Sequence, residues 1–352
     1  MSAPPVSVII PAHNAEATLP ASLASVFGSR GVGYEVLVVN DASTDATEAI
    51  ARRFPCRVVS LEQNIMSANC RNLGAELATG GILVFFDADQ LMTPDTLRQY
   101  AEALDAHPEA DAVVGSLAPD TPMPGFFSRF KNFQHHHTHQ TAEVEGATLA
   151  SGLVAIRRSV FLALGGFEPA FAGASIEDIA LGYRMRRAGH RIRFTPHIQI
   201  VHLKSYSLRS MVRSDVLHRA IPWTGLMLRE RIFRSDLNTR SGNVASVTLA
   251  WLAPAALLAA SVGWGRGWGV AAAAGLVGIW LLNRGFLRAG WRAFGGWFAV
   301  RSAAFLPVMY FYHGVGLLAG IAAYLFGGSV ATRRERPLPI YQVFDAGSRP
   351  GA

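Results

Sequence analysis

Short apolar runs alternate with segments of helical periodicity over residues 6–89, and this alternation limits the fold more than any other feature. The apolar runs have the length and composition of buried strands and comprise Val6–Ile10, Glu35–Asn40, Arg57–Ser60 and Ile82–Phe86. The segments predicted as helices between them are 15–27, 45–53 and 68–78. Strands that alternate with helices form a parallel sheet covered on both faces, so the sequence predicts an α/β fold for this part.

Polar clusters follow three of these strands at the point where each strand ends. They occupy residues 11–16, 41–45 and 87–89. In parallel sheets, ligands bind at the carboxyl ends of the strands. We therefore predict one ligand site at the rim of the sheet where the three clusters meet.

Asp87 and Asp89 directly follow the most apolar strand. Residues two apart on an extended chain point to the same side, and two carboxylates aimed together repel unless a cation lies between them. Mg²⁺ usually binds one or two protein carboxylates together with phosphate oxygens. The pair therefore predicts a metal and diphosphate site, and the structural alternative is a solvated turn in which an Asp caps.

Two further carboxylates each allow a structural and a functional interpretation. Asp41 lies at a strand tip where it could accept a hydrogen bond from a nucleotide base, whereas Ser43 or Asp45 could simply cap the next helix. Ser175 and Asp178 match a capping box. A helix N-terminus is also a rigid mount for a general base, so the residues alone leave both interpretations open.

Several other kinds of site find no support in the sequence. It contains no dinucleotide-binding, P-loop or nucleophile-elbow motif. The net charge is +7, but no zinc finger or aromatic-interleaved basic block is present, so we predict no nucleic-acid partner. The four histidines within 135–139 do not share one helix face, and we interpret them as surface or interface residues. Only Cys56 and Cys70 are present, in apolar segments, which favours a reducing compartment.

The C-terminal part of the chain is far more apolar. Three segments without Asp, Glu, Lys or Arg are candidates to span a bilayer, namely 244–262, 267–282 and 302–326. Between Lys204 and Arg240, eight Lys and Arg residues stand against three Asp and Glu residues. Such a segment suits a collar on an anionic membrane surface, and an ordinary basic surface helix is the alternative.

We therefore predict four parts along the chain: a soluble domain over 1–205, a basic amphipathic collar over 206–243, a membrane region with two to four spans over 244–328, and a tail over 329–352. No signal peptide is visible at residues 1–5, so we expect a multi-pass protein of the cytoplasmic membrane with its first domain in the cytosol.

Arginine positions bear on the membrane topology. If two spans form a hairpin, the loop 283–301 is cytosolic, and its four arginines without an acid agree with the positive-inside rule. A single third span would put Arg333, Arg334 and Arg336 on the opposite side, against that rule. A re-entrant or split segment over 297–328 and an exceptional tail therefore both stay open.

Taken together, these residues resemble the family 2 inverting glycosyltransferases of the GT-A fold, of the membrane-anchored bacterial type. The resemblance covers about residues 5–205. It rests on six elements in the family's order and spacing: Val6–Asn14, Val39–Asp45, Cys70–Gly74, Phe86–Asp89, Arg157–Arg158 with Gly165–Phe167, and Glu177–Asp178. It implies a Rossmann-like, mostly parallel sheet flanked by helices, followed by transmembrane helices.

The resemblance also implies roles for individual residues. Those that would hold the nucleotide sugar are Pro11, Ala12, His13, Asp41, Arg71, Asp87 and Ala88. Asp87 and Asp89 would bind a divalent metal, Mg²⁺ or Mn²⁺, and Asp178 would act as general base. His202 falls where some related enzymes have a further metal ligand.

The implied reaction transfers a single sugar from a nucleotide-diphosphate donor to a hydroxyl of a lipid-associated acceptor. The Q-x-x-R-W motif of processive synthases is missing after Glu177–Asp178, which favours single transfer. Asn40 and Met66 depart from the Asp and Gly that many members have there. The alternatives are a polyprenyl-phosphate sugar synthase, whose anionic acceptor needs no base, and a membrane scaffold that binds nucleotide without turnover.

Overall fold

The computed structural model describes residues 5–169, 176–231, 240–263, 265, 267–327 and 341–345. These residues form two compact units. The first unit takes its residues from 1–123, 139–204 and 331–352, and the second from 124–138 and 205–330. The sequence assigned 124–138 to the first domain, but this segment clusters with the second unit, where its Phe130 and Phe133 join a buried aromatic cluster.

A ten-stranded sheet forms the centre of the first unit. Its strands are β1 (Val6–Ala12), β2 (Tyr34–Asn40), β3 (Arg57–Leu61), β4 (Ile82–Phe85), β5 (Gln90–Met92), β6 (Ala112–Leu117), β7 (Glu145–Gly146), β8 (Val154–Arg157), β9 (Ile192–His202) and β10 (Tyr341–Phe344). The strand order is β10-β3-β2-β1-β4-β8-β6-β9-β5, with β7 paired to β9.

The predicted parallel arrangement is present in four of the ten strands. Strands β3, β2, β1 and β4 are parallel neighbours in the order of a doubly wound fold. The rest of the sheet is mixed, because β8 is antiparallel to β4 and β6 while β6 and β9 are parallel. Only residues 86–89 join β4 to β5. Because a parallel crossover needs about a dozen residues or more, β5 cannot pair in parallel with β4. It pairs with the distant β9 instead.

The helices in chain order are α1 (Leu19–Phe27), α2 (Thr47–Ala51), α3 (Met66–Leu77), α4 (Thr96–Ala106), α5 (Phe126–Gln140), α6 (Arg158–Ala163), α7 (Glu177–Arg187), α8 (Leu208–Arg213), α9 (Ile221–Glu230), α10 (Ser241–Ser261), α11 (Gly267–Leu282), α12 (Arg284–Phe294) and α13 (Gly296–Leu325). A π-helix, Ser214–Ala220, joins α8 to α9. In the first unit, apolar residues at helical spacing pack on the sheet, for example Leu19, Leu23 and Val26 of α1.

Two helices of the second unit, α10 and α13, are long and apolar enough to span a membrane. Helices α11 and α12 pass the same test together but are bent by 62° at their junction, which would make a third span. The segment from residue 297 onward is one continuous helix to Leu325 and is not split. The predicted loop over 283–301 contains α12.

Helices α10 and α11 form a closely packed antiparallel hairpin. A Cβ on Gly275 would lie 3.3 Å from that of Ala253, and one on Gly278 would lie 2.9 Å from the Leu249 side chain. At the open end of the hairpin, Asn283 donates a hydrogen bond of 3.2 Å to Ser246. Small residues thus let the two backbones approach along their length.

Strand β10 lies in the segment that the sequence analysis left as a tail. It pairs antiparallel with β3, with Tyr341 opposite Leu61 and Phe344 opposite Val58. The Arg52 guanidinium stacks 3.3 Å above the Phe344 ring. After α13, the chain therefore returns to the sheet of the first unit. Arg333, Arg334 and Arg336 lie outside the described residues.

Candidate active site

The strand order of the first unit reverses between β1 and β4, and open α/β sheets bind ligands in a crevice at the carboxyl ends of such strands. We refer to this region as the crevice. Pro11 and Ala12 end β1 and pair with Val39 and Asn40 of β2. The side chains of Ala12 and Ala88 are buried, so each can offer a ligand mainly its backbone. Two of the predicted polar clusters meet here, because His13 Nδ1 donates a hydrogen bond of 2.7 Å to the Asp41 carbonyl oxygen.

Side chains join the loop after β1 to the loop after β2. The backbone N–H of Asn14 donates to Ser43 Oγ at 3.0 Å, and Asn14 Oδ1 accepts from the N–H of Thr44 at 2.9 Å. Asp45 accepts from the N–H of Thr47, the first residue of α2, at 3.0 Å. Of the two residues proposed to cap that helix, Asp45 binds it, whereas Ser43 binds the neighbouring loop.

The Asp41 carboxylate contacts the start of α3. Its two oxygens accept from the N–H groups of Ile65 at 2.7 Å and Met66 at 3.0 Å. Burial raises the pKa of Asp41 despite these hydrogen bonds. The carboxylate is only 3% exposed and is engaged by the protein itself. Its role toward a nucleotide base stays a prediction.

Three non-glycine residues in the loops of this crevice adopt left-handed backbone conformations, with φ of 49° at Asn14, 52° at Ala42 and 71° at Met66. Such conformations cost roughly 1–3 kcal/mol each and concentrate at functional sites. Met66 is the position where many members of the resembled family have Gly, which adopts positive φ without a steric penalty.

Asn40 is the other departure noted in the sequence, and its contacts explain it. Its Nδ2 donates to Glu48 Oε2 at 2.9 Å, and its Oδ1 accepts from the N–H of Ser43 at 3.2 Å. The side chain is buried. An Asp at this position would place a second carboxylate against Glu48, so the amide suits this chain.

Arg71 links two carboxylates inside the crevice. Its Nη2 donates to Asp87 Oδ1 at 2.6 Å and its Nη1 to Glu177 Oε1 at 3.2 Å. Burial would lower the pKa of Arg71, but the two carboxylates outweigh it and raise the pKa, so the guanidinium is charged. The resemblance implied a position near the nucleotide base, and the contacts observed are these two carboxylates.

Glu177 is a site residue that the sequence analysis named only as the neighbour of Asp178. Burial, together with the Asp178 carboxylate, raises the pKa of Glu177 to about 7 despite Arg71. Among the described residues, its Oε2 is buried without a hydrogen-bond partner. The sequence signal was the pair of consecutive acidic residues at the start of a helix. Which of the two is buried depends on the orientation of that helix.

Asp178 is held by two backbone N–H groups. Its Oδ2 accepts from Ser151 at 3.0 Å and its Oδ1 from Ile179 at 2.8 Å. The bond to Ile179 is a local one at the start of α7, whereas the bond to Ser151 fixes the carboxylate from outside the helix. The predicted partner Ser175 lies outside the described residues, and Ile176 occupies the position before α7.

The loop that contains Ser151 also contacts Asp87, which the sequence analysis missed. A Cβ on Gly152 would lie 2.5 Å from Asp87 Oδ2 and 2.5 Å from Gln90 Nε2, so only glycine fits there. Gln90 in turn accepts from the Asp87 N–H at 3.0 Å. One loop thus positions both Asp87 and Asp178.

Asp89 and His202 meet because β5 pairs with β9, which sets Gln90 opposite His202. Asp89 Oδ1 lies 3.3 Å from His202 Nε2. Burial tends to raise the pKa of Asp89, but His202 and Lys204 outweigh it and lower the pKa. Of the predicted metal ligands, Asp89 and His202 are in contact, whereas Asp87 binds Arg71.

Comparison with known families indicates which class of enzyme this crevice is typical of. The model of the family described as "Glycosyl transferase family 2" matches residues 7–165, which include β1, β2, β4 and the Asp87–Asp89 segment. Residues 7–165 of the chain are thus similar to the family 2 glycosyltransferases. A second model, "N-terminal domain of galactosyltransferase", matches residues 131–207 and covers α7 and His202.

Individual glycosyltransferases agree with this assignment. The chain is 23% identical over 252 residues to an uncharacterized glycosyltransferase of Haemophilus influenzae, covering 70% of this chain and 83% of that protein. It is 34% identical over 106 residues to the succinoglycan biosynthesis protein ExoO of Rhizobium meliloti, covering 29% of this chain and 30% of that protein. The family match and these relatives together indicate that this enzyme is a glycosyltransferase.

A solved structure supports the GT-A fold. The mannosyltransferase PcManGT from Pyrobaculum calidifontis, in complex with GDP-Man and Mn²⁺, has a TM-score of 0.57 and 20% identity, over 93% of this chain and 88% of that one. The GT-A fold expected from the sequence is confirmed.

The side chains of Asp89 and His202 are of the types that bind a divalent cation. Among the described residues, no group of three or more His, Cys, Asp or Glu side chains converges as a complete metal site. Asp89 and His202 supply one carboxylate and one imidazole. Mg²⁺ and Mn²⁺ commonly take one or two protein ligands and complete their shell with phosphate oxygens and water.

Proposed function

We propose that this enzyme transfers one sugar, with inversion, from a nucleotide-diphosphate donor to a hydroxyl of a lipid-associated acceptor. The observation that carries the proposal is the fixed carboxylate of Asp178, which Ser151 and Ile179 hold through two backbone N–H groups. A general base needs such a mount, because proton transfer demands a defined geometry.

In this mechanism, the acceptor oxygen attacks the anomeric carbon while the bond to the diphosphate oxygen breaks. Asp178 takes the acceptor proton, and the leaving electron pair departs with the nucleoside diphosphate. Attack from the face opposite the leaving group inverts the anomeric configuration.

The remaining crevice residues hold the donor. Asp87, oriented by Arg71 and packed against Gly152, is assigned to the nucleotide sugar together with Pro11, Ala12, His13, Asp41 and Ala88. Asp89 and His202 would hold the divalent cation, with Asp87 as a further candidate ligand. When bound, the cation neutralises charge on the departing diphosphate.

Replacing Asp178 by Asn tests the base. Asn is isosteric but cannot take a proton, so we expect the variant to fold, to bind nucleotide with near-native affinity, and to turn over about 10²–10⁴ times more slowly. The matched control is Asp105→Asn, an exposed Asp on α4. Turnover is measured with the purified protein and a panel of nucleotide sugars, and product anomers by NMR.

Two outcomes would contradict the proposal. Normal turnover with a lowered melting temperature would make Asp178 a helix cap only, at a cost of about 0.5–2 kcal/mol. A small rate change with a polyprenyl-phosphate acceptor would assign the enzyme to the synthases of that class, because that nucleophile carries its own charge.

We also propose that the chain is a multi-pass protein of the cytoplasmic membrane with its first unit in the cytosol. The length and apolar composition of α10 support membrane insertion. Residues before α8 and strand β10 after α13 both belong to the first unit, which requires an even number of crossings between them.

The α10–α11 hairpin accounts for two crossings. Tyr310, at the middle of α13, lies with its Oη 3.0 Å from Asn243 and 2.7 Å from Asn283, and these two residues mark the same, open end of the hairpin. This supports α13 as a helix at the membrane surface on the cytosolic side. All arginines of 284–336 would then be cytosolic, as the positive-inside rule expects.

Cysteine labelling in intact cells tests this topology. A membrane-impermeant maleimide is expected to label Gly265→Cys at the hairpin tip and to leave Arg292→Cys and Asp345→Cys unlabelled until the membrane is opened. Labelling at both 265 and 345 in intact cells would mean an odd number of crossings and would contradict the proposal.

A further inference from the structure

The second unit contains a cavity of about 280 Å³ that the proposed reaction does not use. Its lining comes from α5, the π-helix, α9, α10 and α13. Apolar side chains such as Trp223, Val247 and Leu317 make up much of it. The charged or titratable members are Lys131, His135, Asp215, Arg219, Tyr310 and His313.

The only carboxylate that lines this cavity among the described residues, Asp215, is already satisfied. Lys131 Nζ donates to it at 2.7 Å and Tyr312 Oη at 2.9 Å, and His313 Nε2 lies 3.5 Å away. Burial would raise the pKa of Asp215, but Lys131 and His313 hold the pKa well below its usual range. Lys131 and Asp215 therefore form a buried pair with no net charge.

After Lys131 is paired with Asp215, Arg219 is the remaining permanent cation among the described residues of this lining. It is half-buried in the same lining, and within the part of the chain that the structure describes it makes no ion pair or hydrogen bond. A guanidinium without a counter-charge is available for charge-assisted hydrogen bonds to an anion. The cavity thus carries one positive charge in excess, before either histidine is protonated.

The backbone around Arg219 is unusual as well. Asp215 and Arg219 both belong to the π-helix, a conformation that is rare and frequent at functional sites. Glycines of α13 let that helix approach closely, since a Cβ on Gly316 would lie 2.7 Å from the Ala220 Cβ and one on Gly320 2.6 Å from Thr224.

We infer that this cavity binds the phosphate head group of an anionic lipid, with Arg219 paired to the phosphate and the apolar lining around the first methylenes of the chain. The inference rests on the membrane association proposed above. A volume of about 280 Å³ holds a head group with a short stretch of chain. The apolar lining favours a lipid over a free phosphate ion.

The test uses the full-length protein in a neutral detergent, with native mass spectrometry and thermal shift as readouts. The probes are dioctanoyl phosphatidic acid, dioctanoylglycerol and inorganic phosphate. We expect a saturable one-to-one adduct and a raised melting temperature with phosphatidic acid alone. Arg219→Gln is expected to weaken this binding at least tenfold, and Arg209→Gln, an exposed arginine of α8 outside the cavity, to leave it unchanged.

Each other outcome overturns the inference. Equal binding of dioctanoylglycerol, or full binding by Arg219→Gln, would remove the phosphate recognition. An equal adduct with inorganic phosphate would make this a free-anion site. If Arg219→Gln gives no cooperative melt, Val247→Phe, which narrows the apolar part without changing charge, takes its place with the same expected loss.

A parallel titration with nucleotide sugar separates this inference from the proposed function. The Arg219→Gln variant is expected to keep the donor-induced thermal shift of the native protein. Loss of the donor shift in the native protein would fail the proposed function and leave the lipid result standing. Loss of lipid binding with an intact donor shift would overturn the lipid inference and leave the proposed function standing.

Discussion

Two buried carboxylates, one in each unit, are surrounded by opposite charge balances. Glu177 shares a single guanidinium, that of Arg71, with Asp87, and one of its oxygens has no partner among the described residues. Asp215 is surrounded by Lys131, Tyr312 and His313. Arg219 adds a further positive charge to the same cavity lining. The crevice is therefore short of positive charge, whereas the cavity has an excess.

This difference in charge balance indicates how each unit would bind a phosphate group. The crevice brings together the carboxylates of Asp87, Glu177 and Asp178 around Arg71. Under the proposed function, it would need an added cation to hold a diphosphate. The cavity can hold a phosphate directly, through Arg219. A metal requirement should accordingly belong to the first unit alone.

The largest effect is expected from metal removal. EDTA should abolish sugar transfer, and Mg²⁺ or Mn²⁺ should restore it, because the crevice cannot neutralise the leaving diphosphate unaided. Asp89→Ala should stay inactive with metal present. Phosphatidic acid binding to the second unit, measured in the same samples, should not change. Full turnover in chelator, or lipid binding that needs the metal, would break the comparison.

Arg71→Met is expected to destabilise the first unit by about 3–5 kcal/mol, because it leaves the buried Glu177 and the partly buried Asp87 without their cation. Arg98→Met is the matched control, since Arg98 also pairs with two carboxylates, Asp95 and Glu102, but at the exposed surface. Denaturant unfolding measures both variants. The control should unfold like the native protein, and a small effect of Arg71→Met would show the crevice to be less short of positive charge.

The two buried carboxylates should respond to pH in opposite directions. The pKa of Glu177 is raised from 4.5 to about 7, so its contribution to stability is fully present below 4.5 and is lost as the pH rises through about 7. That loss amounts to about 3 kcal/mol. The pKa of Asp215 is lowered from 3.8, so its contribution is present above 3.8 and is lost as the pH falls below it.

Melting curves from pH 2 to pH 8 check these signs in single variants. Relative to the native protein, Glu177→Gln should gain stability as the pH rises. Asp215→Asn should lose most above pH 4, and its deficit should shrink in acid. The same pH trend in both variants would contradict the opposite charge balances.

The smallest effect is expected where a buried polar group is neutral and fully partnered. Tyr310→Phe removes a hydroxyl that contacts Asn243 and Asn283 in the second unit. The net loss should be about 1 kcal/mol, the usual worth of a neutral hydrogen bond. Leu317→Ile, a swap of the same volume on the same helix, is the control. A loss as large as that of Arg71→Met would show that charge is not the main difference.

Much of the first unit could be predicted because its signals are local. The apolar runs at 6–10, 35–40, 57–60 and 82–86 became β1 to β4 within a few residues, and the polar clusters after them lie at one edge of the sheet. The helix predicted over 68–78 is α3, Met66–Leu77. Periodicity and strand ends can be recognised within a short window of sequence.

The charges of the crevice could not be assigned in that way. Asp41 looked free to reach a base but binds the start of α3, and Arg71 meets Glu177 across 106 residues of chain. Which acid is buried and which is held open depends on how the helices pack. No local pattern carries that information.

The sequence by itself determined the strands, the helices, the rim of the sheet and the apolar character of the second unit, because backbone periodicity and side-chain hydrophobicity are properties of neighbouring residues. Only the tertiary structure decided that β10 returns to β3, that α13 meets the open end of the α10–α11 hairpin, and that Arg219 is left without an anion. Strand pairing and charge compensation join residues far apart in the chain, so they exist only once the fold has formed.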